Sequence, residues 1–292
     1  MVTTLIKHDF IRTRALLFTA TGIALIMGAV LALSTHLLIT LGGGASSGSS
    51  ANAGPGLATV TWVFGLVLTF GFLPLVQLWL GVDLYRSSFS RRGYFVQTLP
   101  MTGSAVLSAK YLWALIVTAF ALVVALLLGA MTMLGTTAIY GWTFANIWEI
   151  VLDLIGTANF SAGAWLILIV FAVTYLLQGV IQYYFCVTFG SEAWINKLGA
   201  AGPILVWVGL YVVMQLLGLL SLVIPGALII GDGQTEFAWV SFFGQAFADH
   251  PTPNSAEGIP VLPVAIIGVM LLAFVVMIWR SYVSAGRKVD LR

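Results

Sequence analysis

The sequence predicts an all-α integral membrane protein with six transmembrane helices. Hydrophobic residues make up 60% of its 292 residues and charged residues only 8%, whereas soluble domains carry about 25% charged residues. In water, this composition would leave large apolar areas exposed. Six segments also reach the roughly 20 apolar residues that a helix needs to cross a bilayer core. We therefore expect one transmembrane domain over residues 1–292.

The six predicted spans follow from apolar runs separated by polar or turn-forming segments. A glycine- and serine-rich stretch at 42–56 separates the first two spans and predicts a flexible loop. Pro225-Gly226 predicts that the fifth span kinks or ends, because proline lacks a backbone donor. The first span is about twice as long as the apolar region of a signal peptide, so we expect it to be retained. The spans lie at 15–41, 57–80, 111–134, 162–187, 203–230 and 259–279.

The basic residues predict the orientation of the spans. All twelve lysines and arginines fall before the first span, between the second and third, between the fourth and fifth, or after the sixth. The three loops on the other side have none. Positive charge is retained in the cytoplasm, so we expect both termini to be cytoplasmic.

Two segments outside the spans have recognisable patterns. Residues 2–13 place Val2, Leu5, Ile6 and Phe10 near one helical face, which predicts an amphipathic helix lying on the inner membrane surface. The outer loop at 231–258 is rich in aromatic residues. These either dip into the outer interface or cap the bundle, and the sequence leaves both interpretations open.

The sequence contains few residues suited to catalysis. It has neither a phosphate-binding GxxxxGK[ST] loop nor an HExxH motif. No acid lies in the middle of a predicted span, which disfavours a carboxylate proton relay. The single cysteine, Cys186, excludes a cysteine cluster for metal binding. We therefore predict that this chain is not an enzyme and binds neither metal nor nucleic acid.

Three glutamines are the candidate polar groups of the membrane interior. Gln178 and Gln182 are four residues apart in the fourth span and therefore share a helix face, and Gln215 lies near the middle of the fifth span. They line a substrate path or form hydrogen bonds between helices. The second interpretation is favoured, since such bonds are common in membrane bundles.

The inner loop at 83–110 is the most informative segment. Gly93 predicts the end of a short helix whose last turn holds Arg91 and Arg92, where the helix dipole favours cations. Leu99-Pro100 predicts an extended stretch before the third span. A cytoplasmic helix–turn–helix with exposed bases and aromatics suits protein docking. The alternative is a solvated loop whose arginines only set the topology.

The pattern of this loop resembles that of the permease subunits of type-2 class ABC exporters. The resemblance rests on Tyr85-Arg86, Phe89, Gly93-Tyr94 and Thr98-Leu99-Pro100, followed by Ser108-x-Lys110. Six spans, inside termini and an amphipathic N-terminal helix agree with that family. One position departs from it, since Arg92 precedes Gly93 where the family often has an acid.

The resemblance implies the membrane-spanning subunit of an ATP-driven exporter in a bacterial plasma membrane. The chain would pair with a cytoplasmic ABC ATPase and with a second permease, either the same chain or a relative. ATP and magnesium would bind to the ATPase, and this chain would bind no cofactor. The inner loop at 191–202 would add a smaller contact through Glu192, Trp194 and Lys197. The residues expected to couple to the ATPase are Tyr85, Arg86, Phe89, Arg91, Arg92, Gly93, Tyr94, Leu99 and Pro100.

Two other functions stay open at this point. A stand-alone secondary carrier or channel would need no ATPase, although the lack of mid-span charges disfavours it. A membrane subunit that mediates interactions without transport is the other alternative. The apolar spans favour an amphipathic or hydrophobic cargo if the protein transports one.

Overall fold

The computed structural model describes residues 2–42, 53–89, 102–140, 145–146, 148–149, 152–153, 162–231, 234–239 and 261–287. Within these ranges, six helices are long and apolar enough to cross a membrane, as the hydropathy of the sequence predicts. They are α1 (Val2–Gly42), α2 (Ala53–Leu84), α3 (Gly103–Tyr140), α4 (Ala162–Gly190), α5 (Ala201–Ser221) and α6 (Ala265–Arg287). The protein is therefore a helical, multi-pass membrane protein by the length and composition of its helices.

The chain divides into two compact units, which we call the first unit and the second unit. The first unit comprises Met1–Trp79 and Ser108–Val151, and so holds α1 with most of α2 and α3. The second unit comprises Leu80–Leu107 and Leu152–Arg292, and holds α4, α5, α6, the end of α2 and the start of α3.

The core of the first unit is formed by apolar side chains from α1, α2 and α3. Ala24, Phe72, Ala121, Val124 and Leu128 are its buried members. Small residues let the backbones approach, as is common where helices pack inside a membrane. A Cβ added at Gly28 of α1, for example, would lie 2.7 Å from Leu128 Cδ2 of α3.

The core of the second unit joins α4 to α6 and α5. Ile181 of α4 packs with Phe274 and Met277 of α6, and Leu210 of α5 covers their edge. A second cluster of Cys186, Ile195 and Val206 packs together the end of α4, the connection that follows it and the start of α5. This unit is therefore organised around α4, which contacts both neighbouring helices.

The fifth and sixth spans differ from their predicted bounds because a small sheet lies between them. α5 ends at Ser221 rather than at residue 230, and Gly226 follows with a φ of 148° that favours glycine. β1 (Ala227–Gly231) then pairs antiparallel with β2 (Gln234–Ala238) on one side and β3 (Val261–Pro263) on the other. The prediction of an end near Pro225-Gly226 is confirmed. Most of the aromatic outer loop lies outside the described residues.

The predicted interfacial helix at residues 2–13 does not form a separate element. These residues are the first turns of α1, which continues without a break to Gly42. Between Phe10 and Ala15 the sequence has no glycine or proline to interrupt the helix. Thr13 Oγ1 also donates to the Asp9 carbonyl at 2.8 Å within this stretch, so the helical conformation carries through it.

Candidate functional site

The predicted coupling segment begins where α2 ends. A π-helical turn, Tyr85–Phe89, follows Leu84 directly. Arg86 is exposed there and Ser87 and Ser88 are buried, so the turn presents its arginine and faces its serines inward. Tyr85 and Phe89 are half-buried. The other predicted coupling residues, Arg91, Arg92, Gly93, Tyr94, Leu99 and Pro100, lie outside the described residues.

Two glycines fix the described ends of this segment against α4 and α6. At Gly81, just before the segment, an added Cβ would lie 2.8 Å from Tyr183 Cβ of α4. At Gly103, where α3 begins, it would clash with the Ala285 carbonyl oxygen of α6. Real Cβ atoms do not approach other heavy atoms that closely. Neither the Tyr183 Cβ atom nor the Ala285 carbonyl can move aside easily, so both sites favour glycine. The segment from 82 to 102 is therefore held at one end by α4 and at the other by α6.

A buried ionic cluster joins the same two helices, and we call it the inner cluster. Its centre is Glu192, which follows α4 and is 2% exposed. The Glu192 carboxylate accepts hydrogen bonds from Arg280 Nη2 at 2.5 Å and Ser284 Oγ at 2.7 Å, both from α6. Trp194 Nε1 donates to its second oxygen at 2.9 Å. The carboxylate thus has three donors on two oxygens, which is how a buried charge is stabilised.

Aromatic side chains complete the inner cluster. The Arg280 guanidinium lies 4.9 Å from the ring centre of Phe189, near the end of α4. The same ring meets Trp194 edge-on at 5.8 Å. Cation–π and edge-to-face contacts of this kind each add about 0.5–2 kcal/mol. The end of α4, the following loop and α6 therefore form one interlocked assembly.

The inner cluster changes the expected role of the second inner loop. The prediction that Glu192 contacts a partner is wrong, because its carboxylate is buried and engaged within the chain. Trp194 is 65% exposed and Lys197 is exposed, so these two remain available for contact. Glu192 instead holds the Trp194 indole in place.

A second buried ion pair lies in the first unit, and we call it the N-terminal pair. Lys110 Nζ of α3 lies 2.6 Å from Asp9 Oδ1 of α1, and both side chains are less than 10% exposed. Arg12 Nη2 lies 3.3 Å from the same oxygen. Phe10 also meets Trp113 edge-on at 6.0 Å beside the pair. The start of α1 is thereby tied to α3 a few residues after the coupling segment.

The three membrane glutamines differ in exposure. Gln178 and Gln182 are half-buried on α4, as expected for residues that share a helix face, whereas Gln215 of α5 is exposed. Within the described part of the chain, none of the three amides forms a hydrogen bond. The favoured interpretation of hydrogen bonds between helices of one chain therefore has no support at these three positions.

Sequence reasoning missed Asp9 and the central role of Glu192, although a signal was present. Six of the ten acids fall in the predicted outer loops, and the other four, Asp9, Asp83, Glu192 and Asp290, fall on the predicted inner side with the basic residues. A lone acid among basic residues is a candidate for pairing. Two of these four are buried with a cation, but their partners, Lys110 and Arg280, are 101 and 88 residues away in sequence.

The geometry defines a class: a multi-pass helical membrane protein in which each of the two units contains a buried ion pair. Comparison with protein-family models, curated proteins and solved structures finds no match to the chain.

Proposed function

We propose that this chain is the membrane-spanning permease subunit of an ATP-driven exporter of the type-2 ABC class. The observation that carries the proposal is the inner segment from Tyr85 to Lys110, whose residue pattern resembles the ATPase-coupling loop of that family. A separate cytoplasmic ATPase would dock on this segment and supply the ATP hydrolysis. A second permease would complete the pathway.

The anchoring of the segment supports a coupling role. Gly81 packs against α4 and Gly103 against α6, so a displacement of either end of the segment would reach one of these helices directly. The inner cluster binds these helices to each other through Glu192 and Arg280. Rigid elements transmit a displacement, whereas a solvated loop would absorb it. The exposed Arg86 and the two arginines that follow in sequence would contact the ATPase.

The charge distribution supports a cytoplasmic location for this surface. Every lysine and arginine belongs to the side that holds both termini and the segment, and basic loops remain in the cytoplasm. On this basis and on the resemblance, we infer that both termini lie on the cytoplasmic side of a bacterial plasma membrane. The same charge excess would favour anionic lipid headgroups around the inner ends of the helices.

Co-purification tests the proposal. A tagged chain is isolated from native membranes into nanodiscs, and bound ATPase is quantified by ATP hydrolysis and by mass spectrometry. We expect an ABC ATPase to accompany the wild type and to fall at least about tenfold in Arg91→Gln/Arg92→Gln, which is the loss expected for roughly 1.4 kcal/mol.

The matched control is Lys7→Gln/Arg14→Gln, which removes two exposed positive charges from α1 on the same side. It should retain the ATPase. Loss of the ATPase from both double variants would show a general charge effect and contradict docking at the segment. Isolation of the wild type without any ATPase would contradict the exporter and favour a stand-alone carrier.

A further inference from the structure

The connection between α4 and α5, residues 191–200, begins and ends at a membrane surface, and we call it the α4–α5 loop. The spanning stretch of α4 runs to Gly190, and that of α5 starts at Ala201. The two ends of the loop also touch, because an added Cβ at Gly190 would lie 2.6 Å from the Pro203 backbone nitrogen. The loop is therefore held beside the ends of both spans, at the boundary between lipid and water.

Successive turns make the α4–α5 loop compact. The Ile195 N–H donates to the Glu192 carbonyl at 2.9 Å, and the Leu198 N–H donates to the Ile195 carbonyl at 2.9 Å. The Ile195 side chain is buried in the cluster that joins the loop to α4 and α5. Backbone groups that are paired inside the loop do not depend on water, so the cost of placing this loop in the interfacial region of a bilayer is reduced.

The exposed side chains of the α4–α5 loop are mainly apolar. Trp194 is 65% exposed and Leu198 is 54% exposed. Among the exposed side chains that the structure describes in this loop, only Lys197 is polar. Removal of apolar surface from water is favourable, so this composition favours contact between the loop and an apolar phase.

The contacts of Trp194 turn its polar atom toward the protein. Its indole Nε1 donates to Glu192 Oε2 at 2.9 Å, and its ring meets Phe189 edge-on at 5.8 Å. The only polar atom of the side chain is thus satisfied within the chain, and the surface that the indole exposes is hydrocarbon. Tryptophan with an exposed apolar ring is enriched at the interfaces of membrane proteins.

The apolar surface of the loop continues onto the first turns of α5. Ile204 and Leu205 are exposed there and belong to the spanning stretch. A bilayer covers such a surface continuously, because its apolar phase begins at the level where the span begins. A soluble protein such as an ATPase could cover the loop but could not follow the same surface into the membrane. The continuity therefore favours lipid over a soluble partner.

We propose that the α4–α5 loop is a membrane anchor, with Trp194 and Leu198 in the interfacial region and Lys197 on the headgroup of an anionic lipid. A lysine stem can stay along apolar surface while its ammonium reaches a lipid phosphate. Among the residues that the structure describes, Lys197 forms no ion pair. This inference goes beyond the proposed function and requires only that α4 and α5 cross a membrane. It assigns to lipid two side chains that the family resemblance assigns to the ATPase.

Spin labels test the position of the loop in the membrane. The full chain carries Cys186→Ala, which removes its buried thiol, and a nitroxide on Leu198→Cys. The lipid reference is a label on Ile204→Cys. The water control is a label on Thr102→Cys, which is exposed and lies well before the predicted third span at 111–134.

Depth is measured in nanodiscs of phosphatidylcholine and phosphatidylglycerol, from the collision rates of the labels with oxygen and with a water-soluble nickel chelate. We expect the Leu198→Cys label about 5–10 Å inside the headgroup boundary, as for other interfacial segments, and the Thr102→Cys label in water. Equal access of the nickel chelate to these two labels would overturn the proposal. Shielding of the Leu198→Cys label from both reagents would also overturn it, because a protein such as the ATPase would then cover the loop.

The role of the Lys197 charge is tested with a fluorophore on the same Leu198→Cys. Brominated phosphatidylglycerol and brominated phosphatidylcholine quench it in parallel samples, and the ratio of the two measures local enrichment of the anionic lipid. We expect Lys197→Gln to lower that enrichment about fivefold, the effect of one basic residue near an anionic surface. The control, Lys7→Gln, removes an exposed positive charge from α1 and should leave the ratio unchanged. Equal ratios in the two variants would contradict an anionic headgroup at Lys197.

Discussion

Each of the two units contains a buried acid paired with a base, yet the two sites are built differently. Asp9 in the first unit has two cations within reach, Lys110 at 2.6 Å and Arg12 at 3.3 Å. Among the described contacts of Glu192 in the second unit, one is with a cation, Arg280, and two are with the neutral donors Ser284 and Trp194.

The difference shows two ways to stabilise a buried carboxylate. A surplus of positive charge leaves the N-terminal pair with a replacement cation when one is lost. Neutral donors and an aromatic face stabilise the inner cluster without excess charge, but they give Arg280 no second anion among its described contacts. Removing one member of a buried pair is costly because the other remains as an uncompensated charge. The two sites should therefore respond differently to the same kind of substitution.

The largest effect is expected for Glu192→Gln. The amide keeps the shape of the side chain but leaves Arg280 without its counter-charge, which should lower the free energy of unfolding by about 3 kcal/mol, the lower end for a broken buried pair. The lower end applies because the Arg280 side chain is 22% exposed and retains some water. Thermal unfolding in detergent measures the loss. The control is Glu149→Gln, an exposed acid, which should change stability by less than about 0.5 kcal/mol. Equal effects of the two substitutions would show that the inner cluster contributes nothing.

The N-terminal pair should show an asymmetry between its two members. Asp9→Asn removes the carboxylate that lies 2.6 Å from the buried Lys110 ammonium. We expect a loss of about 2 kcal/mol, moderated because a lysine stem can extend its ammonium toward water. Lys110→Met leaves Asp9 with Arg12, and we expect about half that loss. The same thermal measurement ranks the two variants. A larger loss from Lys110→Met would contradict the role of Arg12 as a second partner.

The six helices were predictable because the bilayer sets a length and a composition that few other structures satisfy. The positions at which the helices end were harder to predict. The apolar run from Ala227 to Ile230 extends the hydropathy of α5, yet it forms a strand, since a short apolar run fits a strand and a helix equally well. Only Pro225-Gly226 marked the boundary.

The candidate site was predictable as a segment but not as a set of contacts. The glycines that fix its ends, Gly81 and Gly103, are ordinary glycines in the sequence, and their need for close packing comes from Tyr183 and Ala285 far along the chain. The pairing of Asp9 with Lys110 likewise joins residues that are far apart in the sequence. Local pattern identifies which residues carry charge, whereas tertiary packing decides which of them meet.

The smallest expected effect tests whether the first unit depends on its charged end or on polar contacts along its length. Thr35 of α1 and Thr61 of α2 share a hydrogen bond of 2.8 Å between their hydroxyls. Each hydroxyl also lies within hydrogen-bond distance of a carbonyl of its own helix, Thr35 of Leu31 and Thr61 of Ala58. Because each hydroxyl has one hydrogen, one of the two donates to the other and the second donates to its carbonyl; without Thr35, Thr61 donates to Ala58. Thr35→Val therefore leaves no orphaned group, and the expected loss is only about 0.6 kcal/mol.

The matched control is Thr40→Val. Its exposed hydroxyl bonds only to carbonyls of its own helix, at His36 and Leu37, so its loss should lie within about 0.5 kcal/mol of zero. Thermal unfolding of the two valine variants beside Lys110→Met gives the ranking. A Thr35→Val loss equal to that of Lys110→Met would show that hydroxyl contacts hold α1 as firmly as the N-terminal pair does. The predicted order, with Lys110→Met clearly larger, would mean that the charged inner end contributes more to holding α1 in place.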